Sequence, residues 1–181
     1  MTRGSVLLLA TAAKRLAWGA SVLEPLVRGV PDAQARWKPE PAQWSILEVV
    51  CHLGDEEVDD FRKRLELTLL DPGRAWPSID PPRWAVERRY NERDLGESWT
   101  RFRDERAASC RWLEGLPADT ELDRAHTHPT LGVMRAGDLL MAWLAHDLIH
   151  IRQITRLHYR WLERAAAREA PPYRLDYAGP F

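Results

Sequence analysis

The chain has 181 residues, 45% of them hydrophobic, enough for one full domain that buries roughly 70% of its unfolded surface and too few for two roomy ones. Its 26 Lys and Arg stand against 27 Asp and Glu, and a formal net charge of -1 supplies no phosphate-neutralising surface, so nucleic acid is not an expected partner. The only two cysteines, Cys51 and Cys110, form no C-x-x-C pair, which excludes a disulfide framework and a thiolate zinc site and fits a reducing cytoplasm.

Along the chain the dominant period is helical. The apolar run Val6 to Ala13 is closed by Lys14 and Arg15, far short of the ~20 residues of a membrane span. Arg3 ahead of that run has the outline of a secretory signal, but the charges at its end suit an amphipathic helix better. A first helix is predicted over Ser5 to Arg28, with Leu16, Leu23 and Val27 on its apolar stripe, stopped by Gly29 and Pro31. After a proline-rich link, Ser45-Ile46-Leu47-Glu48 reads as a capping box opening a second helix that runs to about Leu70, where Asp71-Pro72-Gly73 stops it. Ala75 to Pro82 is predicted to be a long crossover. A third helical region spans Trp84 to Leu116, broken near Asn91 to Gly96. Asp119 to Arg124 is predicted as one more turn, and His126 to Arg135 as an irregular or short extended stretch. The last helix starts at Ala136 or Gly137 and continues to about Arg168. Four long helices predict an all-α four-helix bundle forming a single domain over residues 1–181, with the tail from 170 to 181 packing back on it.

The candidate chemistry lies on the last helix. At about 100° per residue, His146, His150 and Gln153 share the buried face with Leu139, Trp143, Ile154, Leu157 and Trp161, opposite Arg152, Arg156, Arg160 and Glu163. Buried imidazoles need partners. A hydrogen-bonded pair would serve, and so would one divalent cation, since spacing i, i+4 brings both rings to one ion. Without Glu at position 147 the motif is a plain H-x-x-x-H, which excludes the metalloprotease pattern. His52, in the second helix with Glu56 one turn on, would supply the third ligand that a catalytic site wants, or would be a polar boundary residue. His126 and His128 compete as ligands or fix their loop, and His158, rotated off the face, reads as structural. Cys51 reads as core packing, because its neighbour His52 points about 100° away. The acidic run Asp55, Glu56, Glu57, Asp59 and Asp60 reads as a solvated face, with Glu56 or Glu57 able to orient or join a metal site.

Trp44-Ser45 leading into Glu48-Val49, then His52-Leu53 with Glu57, is followed by His128-Pro129, Leu131-Gly132, the block Trp143 to Ile154 and the ending Gly179-Pro180-Phe181. In order and spacing these residues resemble the DinB superfamily of DinB/YfiT-like four-helix-bundle metalloenzymes. The resemblance covers nearly the whole chain. It implies a long crossover between helices two and three, frequent homodimers, and divalent-metal binding by His52, His146 and His150, with zinc or nickel favoured and iron or manganese as alternatives. Characterised relatives include transferases and isomerases that use bacillithiol or mycothiol, so a low-molecular-weight thiol is an implied co-substrate. The expected function is a metal-dependent S-transferase or hydrolase acting on a small-molecule electrophile. A non-catalytic metal-binding or dimerisation bundle is the alternative. Glu56, Asp147 and Gln153 are candidates to support the ligands, and Trp44, Trp143 and Trp161 to wall an apolar pocket.

Overall fold

A computed structural model describes residues 3–179, so Pro180 and Phe181 of the tail lie outside the described residues. Helix α1 spans Arg3–Val27 and is released at Gly29, whose φ of 79° lies in the left-handed region that a Cβ disfavours. A short helix α2 (Asp32–Ala35) interrupts the link to α3 (Ile46–Asp55). At the start of α3 the capping box is present: Ser45 Oγ accepts from the Glu48 N–H at 3.1 Å, and Glu48 Oε2 accepts from the Ser45 N–H at 2.8 Å. The second rod continues into α4 (Arg62–Leu70), but through a π-helical segment, Glu56–Phe61, that a uniform 3.6-residue period does not foresee.

Helix α5 (Pro81–Glu87) follows the crossover, and α6 (Leu95–Glu114) starts where the Asp94 carboxylate accepts from the Glu97 N–H at 2.9 Å. Asp119 to Arg124 makes turns. The stretch that follows is an antiparallel hairpin, β1 (Ala125–His128) with β2 (Gly132–Arg135), in which Ala125 faces Arg135 and His128 faces Gly132. Strand β2 runs directly into α7 (Ala136–Ala166).

Both α1 and the α3–α4 rod pack against α6 and α7, so the first and second rods stand diagonally across the bundle, as do the third and fourth, while the second and third are neighbours. The two diagonal steps need long links, which residues 28–45 and 115–135 supply, and residues 71–94 form a third long link between neighbouring rods. The core is divided. Leu16, Phe61, Leu113 and Trp143 belong to one apolar cluster, and Leu23, Leu53, Phe102 and Ile154 to another. Between them each rod contributes a polar or glycine layer: Gly19 from α1, Glu56 and Glu57 from the π segment, Arg106 from α6, and His146, Asp147 and His150 from α7.

Candidate metal centre

The packing of α3 on α7 brings His52 to His146 and His150. His52 Nε2 lies 3.3 Å from His146 Nε2, which lies 3.1 Å from His150 Nε2. Among the described residues these three form a group whose ligand atoms all fall within 4.8 Å of one another. Donors ~2.1 Å from one cation would stand about 3.4 Å apart in tetrahedral geometry and about 3.0 Å apart in octahedral cis geometry. The two measured separations fall between these values, so the cluster fits one divalent ion.

Protonation supports the fit. Gln153 Oε1 is 2.8 Å from His150 Nδ1 and can accept only from an N–H there, which leaves the His150 Nε2 lone pair facing the cluster. His52 Nδ1 has no hydrogen-bond partner, but Glu56 Oε1, also without one, stands 3.5 Å away. Burial, then hydrogen bonding with Asp60, raises the Glu56 carboxyl to about 9, so near neutrality its Oε1 is a neutral acceptor aimed at the His52 ring. Burial, reinforced by the neighbouring His150, lowers His52 to about 3 and His146 to about 2, and burial lowers His150 as well. His150 Nε2 thus offers its lone pair, and a cation between the rings would replace the ring-to-ring hydrogen bonds with three neutral imidazole ligands that leave it its full charge.

The acidic run is not a solvated face. Asp55, Glu56, Glu57 and Asp60 are all buried, and only Asp59 is partly open. Arginines, most of them distant in sequence, make that burial tolerable. Arg106, 2% exposed, donates to Glu57 Oε1 at 2.9 Å and forks onto Asp147 at 2.5 and 2.8 Å, while its Nη1 also donates to the Leu16 carbonyl at 2.9 Å. Arg88 and Arg101 hold Asp55 together with the Tyr90 hydroxyl, and Arg64 holds Asp60 at 2.8 Å. Asp147, expected to support the histidines, is therefore turned to Arg106. Sequence reasoning missed Arg106, although its position four residues after Phe102 and seven before Leu113 places it on the apolar stripe of α6.

The tryptophans part company. Trp44 lies 4.7 Å from the His52 ring and lines a cleft of about 640 Å³ together with Gln153, Arg156, Leu157 and Arg160. Trp143 is instead a core residue, 1% exposed, stacked on Phe61 and donating its indole N–H to Glu57 at 2.9 Å. Trp161 meets Trp37 edge-on at 5.5 Å under Arg164. Cys51 is buried core, 3.3 Å from Ser98 Oγ. His126 stacks on Trp76 and bonds the Pro72 carbonyl at 2.9 Å, and His128 Nδ1 accepts from the Thr130 and Leu131 N–H groups, so both fix the hairpin. His158 ties α7 to the Leu26 carbonyl at 2.7 Å and to Gln34 at 2.9 Å.

A four-helix bundle whose second and fourth rods share a three-histidine cluster defines a class of protein capable of holding a metal ion. The chain belongs to the DinB superfamily, whose sequence profile matches residues 15–154. Its fold is similar to that of YfiT from Bacillus subtilis, described as "a probable metal-dependent hydrolase with an unusual four-helix bundle topology": the TM-score is 0.75 at 21% identity, over 89% of this chain and 90% of that one. No curated protein matches the chain. None of its helices is long and apolar enough to cross a membrane, among the described residues.

Proposed function

We propose that the protein is a divalent-metal-dependent enzyme that holds its ion through His52, His146 and His150 and adds water or a low-molecular-weight thiol to a small-molecule electrophile. The observation that carries this reading is the convergence of the rings of His52 and His150, both buried, and of His146, partly buried, with His150 oriented by Gln153 through Nδ1. When bound, the ion would lower the pKa of the water or thiol beside it and so supply a nucleophile at neutral pH. The chain's own groups do the rest. Gln153 fixes the His150 tautomer, Glu56 stands beside His52 Nδ1, Trp44 covers the His52 side, and the adjoining cleft gives a small molecule access. The likeness in fold to YfiT, described as a probable metal-dependent hydrolase, favours water as the nucleophile. The thiol arm rests on the family resemblance and is tested alongside. A cytoplasmic homodimer is part of the same proposal.

Elemental analysis of protein purified without chelator should find about one zinc, nickel, iron or manganese per chain. Turnover of chromogenic esters and of haloaromatic electrophiles, with water alone and with added thiols, should vanish in His146→Ala. Equal rates in wild type and variant under every condition would leave a non-catalytic bundle as the surviving reading.

A further inference from the structure

The cleft beside the histidine cluster carries an arginine without a counter-charge. Its walls include Trp44, whose ring abuts His52, and Gln153, whose Oε1 holds His150, so cleft and cluster share a boundary. Arg156 and Arg160 line it as well, with Glu40 as the one acid. Arg160 is tied to Glu163 at 3.1 Å, but among the described residues neither Arg156 nor Arg152, one turn earlier, has an ion-pair partner. Most other arginines of the chain do have one, from Arg28 to Arg174. Three arginines at i, i+4 and i+8 repel one another along the same side of α7. A bound anion would relieve that repulsion.

The spacing suits a small ligand. Arg156 lies six residues beyond His150, roughly 9 Å of helix rise and about 120° round the helix, so it meets the cluster only through the cleft wall that it shares with Gln153. Gln153 stands between the two. We propose that the molecule turned over at this site, substrate or thiol, carries an anionic group, carboxylate or phosphate, that docks on Arg156 while its body lies on Trp44 and Leu157. The planar guanidinium fork matches either oxyanion in two parallel hydrogen bonds. Arg156 is thus a specificity residue. The inference rests on the proposed enzyme reading for the fate of the ligand, but its binding needs no metal.

Calorimetric titration of the full chain, as purified and after stripping with chelator, with 4-phenylbutyrate, 4-phenylbutyramide and 3-phenylpropylphosphonate tests it. At least one anion should bind roughly tenfold tighter than the amide in both preparations, and tighter at low salt than high. In Arg156→Gln, an exposed position where folding is unaffected, the preference should shrink to within about twofold. The better-bound anion assigns the source as carboxylate or phosphate. No preference in the stripped chain, or a preference that survives Arg156→Gln, overturns the proposal. A chain that takes up no metal yet keeps an Arg156-dependent preference overturns the enzyme reading and leaves the anion site standing.

Discussion

Replacing Gly19 with alanine is the sharpest trial of the buried charge layer. A Cβ at that position would lie 2.0 Å from Asp147 Oδ2, 2.9 Å from its Cγ and 3.2 Å from its Cβ. No side chain tolerates such contacts, and Asp147 is only 2% exposed, so it must move off the fork that Arg106 makes with it. Glu57 would then face the buried guanidinium alone. Breaking a buried pair in this way costs about 3–5 kcal/mol, whereas alanine in place of glycine inside a helix returns about 1 kcal/mol. The net expectation is a destabilisation of about 2–4 kcal/mol, or a fall in Tm of about 5–15 °C for a domain of this size, read by circular dichroism on the metal-free chain. The cycle with Asp147→Ala sharpens it. That variant should itself be destabilised, but adding Gly19→Ala to it should cost nothing, because the clashing carboxylate is gone. A Gly19→Ala protein as stable as wild type, or additive effects in the double variant, would refute the claim that α1 is packed against a fixed Asp147–Arg106 pair.

Other expectations follow from the same geometry. Gln153→Leu leaves His150 Nδ1 without its acceptor and should weaken metal binding about 10–100-fold in a chelator competition, with little change in the stability of the metal-free chain. His150→Ala should abolish metal uptake, whereas His158→Ala should keep the metal content and lose stability, because its ring joins α7 to the Leu26 carbonyl and Gln34. For Asp55, burial works to raise the pKa, but the Tyr90 hydroxyl, Arg101 and Arg88 outweigh it and hold the carboxyl below its ordinary 3.8. Its contribution is therefore complete above about pH 4 and drains away as pH falls through the lower folded-state value, so Asp55→Asn should flatten the acid limb of a stability-against-pH curve. An unchanged acid limb would count against that assignment.

Local signals determined a good deal of this protein. The 3.6-residue period placed the four rods, and the Ser45-to-Glu48 capping box fixed the start of α3 because both halves of that motif lie within one turn. The spacing of His146 and His150 put two imidazoles on a buried face for the same reason: four residues of helix set their separation before any packing occurs. What joined His52 to them was the contact of α3 with α7, which depends on the order in which long links set the four rods around the bundle. The acidic run shows most clearly where sequence reading ended. Glu56, Glu57 and Asp60 lie three, four and seven residues beyond Leu53, on the apolar stripe, yet burying carboxylates is so costly that hydropathy alone assigns them to water. Asp60 has a local partner in Arg64, but for Asp55 and Glu57 only the tertiary structure makes burial bearable, by delivering the guanidiniums of Arg101 and Arg106 from α6 and of Arg88 from the segment after α5, while a π-helical turn lets the acids face inward. Coulomb attraction between groups dozens of residues apart has no signature in a local period, so the chain's pattern marked the face and the fold decided what would stand on it.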